Sequence, residues 1–510
     1  MPARVATADE TRACERETIE AGTSSAELMR RAGRAAAVVV AERFRETLQN
    51  GVVIFAGPGN NGGDAWVVAE FLASAGNNVD VVEVAPPKSK ESADAKRRAL
   101  DTGKVRIAAH ANDQRLIIDG LLGTGATGTP RGEIGHAIEM INPMRSSGVC
   151  VASLDLPSGL DGTTGEYERC VRADATITFG VLKRGHLIAR DVCGEITAVD
   201  IGLNDGPAMQ SLPILVDEHF AHSVIPPIPV SAHKGTRKRL AIVGGGKGMA
   251  GAAILSAEGA LRSGIGLLRV VCHESSNVSI HAGIPAALVS TWPKTAGDLS
   301  SLVEAEDCIA IGPGLGNTDE TRDLVERILL AFSGPVVLDA DALNVFAGDT
   351  SSVAKLLNGR DAVLTPHPAE LARLLGVSTS EVVNRRFEIG VDLARETGAA
   401  LLLKGAPTIV FGNDGRRMTI ASGTAALATG GSGDVLTGMI ATLLSQMPPS
   451  TDRAVNAAAC AAFIHGRAAE LRKYIRGVTL ADILDELPRA WNEIPARLEP
   501  GTLAFLEAHA

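Results

Sequence analysis

Aromatic side chains are scarce in this chain of 510 residues: three Trp, two Tyr and 11 Phe amount to 3%. That is too few for the stacking platforms on which single-stranded nucleic acids are read. An excess of basic charge is missing too, since 49 Lys and Arg face 59 Asp and Glu, for a net charge of −10. Without it, phosphate neutralisation cannot drive general nucleic-acid binding. No apolar run approaches the roughly 18 residues of a membrane span, and the opening MPARVATADETRACERETIE has no apolar core of a secretory signal. The seven cysteines (14, 150, 170, 193, 272, 308, 460) are odd in number, scattered and without a CxxC pair. They read as buried thiols in a reducing cytoplasm, not as a disulfide framework or a zinc site.

What the chain has is glycine, 55 residues of 510 or about 11%, against an ordinary level of about 7%. It also alternates short β-branched runs with longer Ala/Leu-rich amphipathic ones, the signature of βαβ units around a parallel sheet. In the first half, 52–60 reads as a strand then a Gly-rich turn, further strands are expected at 79–84, 115–120 and 149–155, and helices at 64–76 and 91–100. Between about 203 and 233 the character changes, and the Pro/Ile run IPPIP (225–229) favours neither helix nor strand. The alternation restarts at RLAIVGGG (239–246) and continues to a Gly-rich turn entering a helix at GGSGDVLTGMIATLLS (430–445). Two glycine-rich α/β domains in series are expected, spanning 1–215 and 225–505.

In parallel sheets, ligands collect beyond the carboxyl ends of the strands. Three first-half segments end there: GPGNNGGD (57–64), DGLLGTGATGTPRG (119–132) and DLPSGLDGTTGE (155–166). Glycines let backbone N–H groups approach an anion, and a helix N-terminus favours phosphate. Asn61, Asp119, Asp155 and Ser158 form an all-oxygen set suited to an alkali or alkaline-earth cation. Taken singly, each residue could instead cap a helix or shape a turn.

Together with ADATITFGVLKRGHL (173–187), these three motifs resemble the NAD(P)H-hydrate epimerase domain, with its Rossmann-like three-layer α/β/α fold. The resemblance implies K⁺ held by Asn61, Asp119 and Ser158. It implies substrate contacts from Asn60, Asn61, Gly62, Gly63 and Asp64, from Gly123, Thr124, Gly125, Ala126, Thr127, Gly128 and Thr129, and from Asp155 as the catalytic acid/base. The chain departs from the family at Ala65-Trp66, where Gly-Tyr is usual, and in the loop after LLGTG.

In the second half, GGSGDVLTG (430–438) sets Asp434 in an anion hole of backbone amides at a helix start. A carboxylate there can take a proton from a substrate hydroxyl while the amides stabilise a transferring phosphoryl group. Around it stand GPGLG (312–316), DADALN (339–344), TPHPAE (365–370) and KGAPT (404–408). Their order resembles the NAD(P)H-hydrate dehydratase domain, of ribokinase-like α/β/α fold. The resemblance implies Asp434 as general base. It puts the adenine nucleotide on Lys404, Gly405, Ala406, Pro407, Thr408 and Gly433, and the hydrated nicotinamide against Ala252, Gly314, His367 and Asp434. TRKR (236–239) stands where the family often has a glycine before the first strand.

The expected substrates are hydrated NADH and NADPH, repaired with ADP (ATP possible) as phosphoryl donor and Mg²⁺ as its counterion, without nucleic-acid or membrane partners. A homo-oligomer is expected, with no symmetry specified. Two rivals stand beside this reading. A ribokinase-like small-molecule kinase accounts for GGSGD but not for the NNGGD half. A first domain reduced to a binding module would have no need of its four polar ligands.

Overall fold

The computed structural model describes residues 3–492, save 112, 230, 358 and 473, together with the strand Ala504–Leu506. It divides into two compact units, 3–213 with the 504–506 strand, and 214 onward.

The first unit is built on an eight-stranded parallel sheet. From one edge its order is Val105–Ile107, Val79–Glu83, Val52–Ala56, Leu116–Gly120, Cys150–Leu154, Ala175–Phe179, Glu195–Val199 and Ala504–Leu506. The strands are apolar on both faces because helices cover both. Ile54 and Ile118 pack with Trp66 and Val67 on one side, and Val53, Phe55 and Ile117 with Ile138 on the other. Strand order reverses between Val52–Ala56 and Leu116–Gly120, which opens the ligand crevice beyond Ala56 and Gly120.

The second unit holds a ten-stranded sheet. It runs Leu288–Thr291, Leu267–Cys272, Arg239–Val243, Cys308–Ile311, Val336–Leu338, Ala362–Leu364, Ala400–Leu403, Thr408–Phe411, Arg417–Ile420 and Ile214–Leu215. Its reversal lies between Arg239–Val243 and Cys308–Ile311. The helices Ala250–Arg262 and Ser432–Gln446 pack backbone to backbone: a methyl on Gly438 would stand 1.9 Å from the Ser256 carbonyl oxygen, and one on Gly259 2.2 Å from that of Val435. This close contact fixes the start of the GGSGD helix over the strand ends.

Two expectations need correction. The sheet is not wholly parallel, because Thr408–Phe411 and Arg417–Ile420 form an antiparallel hairpin turned at Gly415, whose φ is +89°. The boundary also lies earlier than 225, since Ile214–Leu215 pairs with Met418–Thr419 and so joins the second sheet. Ala504–Leu506 pairs with Thr197–Val199 of the first sheet, so the second domain ends before 505.

Candidate active sites

In the first unit, Asp119 closes its strand fully buried. Its carboxylate accepts four hydrogen bonds: from Ser158 Oγ (2.6 Å), Ser153 Oγ (2.8 Å), Ser158 N–H (2.9 Å) and Leu121 N–H (3.2 Å). None of the four donors is charged, and burial pushes the carboxyl above its ordinary value despite them. Asn61 donates to the carbonyls of Leu122 (2.8 Å) and Leu154 (3.1 Å), which leaves its Oδ1 buried without a partner. Such an orphaned acceptor is rare and calls for a ligand.

Asp155 follows the strand Cys150–Leu154 with φ +63°, a left-handed conformation that a non-glycine residue adopts under constraint. Lys183 Nζ, itself 1% exposed, supplies the constraint. It donates to Asp155 Oδ1 (2.5 Å), Thr178 Oγ1 (2.9 Å) and the Phe179 carbonyl (3.2 Å). Burial alone would raise the Asp155 carboxyl, but the Lys183 ammonium outweighs it, helped by His186 and the Thr124 N–H, and the group lies below the usual range. His186 Nδ1 accepts the Lys183 N–H (3.1 Å), so the proton sits on Nε2, 2.8 Å from the Asp155 carbonyl. Burial and Lys183 lower this imidazole to about 4, keeping it neutral. Asp64 behaves oppositely to Asp155: burial, then Asp155 and Glu15, push its carboxyl well above the ordinary value.

The run Gly57-Pro58-Gly59-Asn60-Asn61-Gly62 has the G-x-G-x-x-G spacing of dinucleotide-binding turns at the first strand-to-helix turn. The helix Asn60–Ser74 has no side-chain cap, so its first N–H groups remain available. The glycines divide their work. A methyl on Gly57 would lie 1.9 Å from the Leu121 carbonyl and one on Gly62 1.9 Å from that of Gly57, while Gly63 faces Ser92 and Met29. Gly57, Gly62 and Gly63 thus pack against protein, whereas Gly125 and Gly128 face open space. Beside that 123–129 loop lies a 620 Å³ cavity, walled on its other side by Pro157, Asp161 and Tyr167. Ala65 and Trp66 are fully buried in the core, away from this cavity.

In the second unit, Asp434 lies in the first turn of Ser432–Gln446, which also lacks a side-chain cap. Burial, then Asp339, raise Asp434 to about 7 against the lowering effect of Lys404. Asp339, 1% exposed at its strand end, accepts from Lys404 Nζ (2.7 Å) and Thr437 Oγ1 (2.6 Å). Lys404 also lies 3.8 Å from Glu370, and a methyl on Gly433 would stand 3.1 Å from its Nζ. Lys404 to Thr408 crosses from one strand to the next, with Gly405 and Ala406 exposed. Asp341 accepts the Gly316 N–H (2.7 Å), joining the 312–316 loop to the acids around Asp434. Ala252 sits against that loop: a methyl on Gly314 would come within 3.0 Å of its Cβ. His367 caps the helix Pro368–Leu375, its Nδ1 accepting from Ala369 and Glu370 N–H. Burial and Lys404 lower its pKa.

Sequence reasoning gave no role to Lys183, Thr178, His186 or Thr437. The available signal for Lys183 was a lysine ending the apolar run FGVLK, which a solvated lysine would not need.

The class these two sites define is an enzyme with two active centres, one with Asp155 at a strand end and one with Asp434 in a helix first turn, each near an uncapped, glycine-rich helix start. Residues 25–185 match the family model described as YjeF-related protein N-terminus, and residues 240–489 the model for NAD(P)H-hydrate dehydratase. The chain is 36% identical over 507 residues to the bifunctional NAD(P)H-hydrate repair enzyme Nnr of Escherichia coli, covering 96% of this chain and 95% of that protein. It is 34% identical to the Moorella thermoacetica enzyme of the same name, covering 92% and 93%. Among solved structures it is similar to the ADP/ATP-dependent NAD(P)H-hydrate dehydratase of Bacillus subtilis co-crystallised with ATP and Mg²⁺, at 31% identity over 54% of this chain and 96% of that one, with a TM-score of 0.47. The chain belongs to the family of bifunctional NAD(P)H-hydrate repair enzymes.

Proposed function

We propose that the first unit interconverts the R and S hydrates of NADH and NADPH, and that the second returns the S hydrate to the reduced cofactor with ADP as phosphoryl donor. The observation that carries this reading is a pair of aspartates held in opposite ways, Asp155 at a strand end paired with Lys183, and Asp434 in the first turn of a glycine-led helix with its carboxyl raised to about 7. A small-molecule kinase would have no use for the first of them.

In the first unit, burial and the Asp155 charge push the Asp64 carboxyl well up, while Lys183 pulls that of Asp155 down. Carboxyls pushed apart in this way divide acid and base roles. Asp64 donates to the departing hydroxyl, the ring nitrogen lone pair expels it as water, and an iminium remains. Water then adds to the other face and gives its proton to Asp155, which passes it back to Asp64 through solvent and so resets the site. The Asn61 Oδ1 orphan, linked through the Leu122 backbone to Ser158 and its buried partner Asp119, fits a monovalent cation. Asn61 and Ser158 would hold K⁺, with Asp119 supplying charge and fixing the Ser158 hydroxyl. Bound there, the ion offsets the Asp119 charge and steadies the 122–124 loop.

In the second unit, Asp434 takes the proton of the substrate hydroxyl, whose oxygen attacks the β-phosphorus of ADP as AMP leaves. The uncapped N–H groups before Asp434 and the Lys404 ammonium stabilise the transferring phosphoryl group. Ring nitrogen then expels phosphate, and loss of a proton from the adjacent carbon restores the double bond. Among the described residues no cluster of three Asp, Glu, His or Cys side chains is built to hold a metal. Mg²⁺ would therefore arrive on the donor's phosphates and offset their charge. No described helix is long and apolar enough to cross a membrane, and the seven thiols are free; a cytoplasmic location is proposed.

The test is return of reduced-nicotinamide absorbance from a mixture of both hydrates, with K⁺ and Mg²⁺ and with ADP or ATP in separate reactions. Full recovery with ADP is expected. Recovery of the S fraction alone refutes the epimerase half, and recovery with neither donor refutes the dehydratase half.

A further inference from the structure

Arg386 follows the helix Thr379–Asn384 and reaches the Gly405–Pro407 stretch of the second unit. Its Nη1 donates to the Ala406 carbonyl (2.8 Å), and a methyl on Gly405 would collide with its Nη2 at 2.3 Å. Only 9% of the residue is exposed, and Nε is buried with no hydrogen-bond partner. A guanidinium does not shed its charge, so burying one unpaired is costly. Among the described residues no carboxylate offsets it; burial alone acts on its ionisation, pulling it down from the ordinary value. The neighbouring cation Lys404, by contrast, is matched by Asp339 and Glu370. Arg386 is thus a buried positive charge without a matching carboxylate among the described residues, directly against the loop that presents Gly405 and Ala406 to solvent.

We propose that Arg386 is a positioning residue for a nucleoside polyphosphate: it sets the 405–407 loop through the Ala406 carbonyl and lends its unpaired charge to the ligand's phosphates. This rests on the reading that the second unit takes a nucleotide, and the experiment separates the two. ADP binding to the full chain is measured by calorimetry at low and high ionic strength, alongside the KM for ADP and for the S hydrate. If the unmutated protein binds neither ADP nor ATP, the nucleotide reading itself fails. Given binding, Arg386→Met should weaken ADP about tenfold or more and flatten its salt dependence, leaving the KM for the hydrate and the epimerase rate as they were. Arg386→Lys keeps the charge but loses the planar fork. It should weaken ADP less and retain the salt dependence, and it decides the matter if the Met variant does not fold. An unchanged ADP affinity in the folded variants, or a KM for the hydrate that rises in step with that for ADP, overturns the proposal, since a purely structural brace would act on both ligands or on neither.

Discussion

Replacing Lys404 by Met should move the acid limb of the dehydratase pH profile upward. Asp434 must be ionised to act as base, its pKa stands at about 7, and Lys404 is the cation that holds it down while burial and Asp339 push it up. Asp339→Asn removes the largest acidic contribution and should move the limb the other way. The measurement is kcat/KM against pH from about 5 to 9, spanning the expected limb; limbs that stay put in both variants would detach Asp434 from the rate. In the first unit the matching change is Lys183→Met, which strands the Asp155 carboxylate in a buried site. Removing one partner of a buried pair costs about 3–5 kcal/mol, to be read by denaturant unfolding. The sign with pH follows from the lowered pKa of Asp155. That stability is present above the ordinary carboxylate value and is lost as pH falls through the folded one, so the cost of the variant shrinks in acid. Asp155 and Asp434 were legible in the sequence because acids set in glycine-rich motifs announce themselves. Their opposite ionisation was not, because it depends on Lys183, Asp339 and Lys404, which the fold brings in from elsewhere in the chain.

Elements were legible wherever a β-branched run met a glycine turn, and the strand ends carrying Asp119, Asp155 and Asp339 could be placed that way. The Thr408–Phe411 hairpin was missed because apolar alternation does not distinguish a parallel from an antiparallel neighbour, and the Asn-Asp-Gly turn at 413–415 was its only local signal. The entry to the strand Arg239–Val243 explains a departure seen in the sequence. Lys238 sits there with φ +71°, in the left-handed region that suits glycine. Lys238→Gly should therefore stabilise the second unit by about 1 kcal/mol. Its ion pair with Asp307, at 3.4 Å and part-exposed, offsets little. A melting temperature raised by about 2–4 °C is expected, and a lowered one would mean that the ion pair outweighs the backbone strain.

At the scale of the whole molecule, each unit has its own sheet, its own core and its own strand-end site, so the two activities should be separable by single substitutions. Asp155→Asn should recover the S fraction of a hydrate mixture and then stall at the slow rate of spontaneous epimerisation. Asp434→Asn should recover nothing while still interconverting the epimers. Equal amounts of the two variants, mixed, should recover the mixture completely, because an S hydrate released by one chain can diffuse to another. The time course of the mixed variants carries further information. If it matches the unmutated protein at equal site concentration, substrate passes freely through solution. If it lags in a way that higher protein concentration removes, the hydrate is handed on within one chain faster than it escapes. Failure to recover at any concentration would show that each centre needs its intact neighbour, against the independence that two separate cores imply.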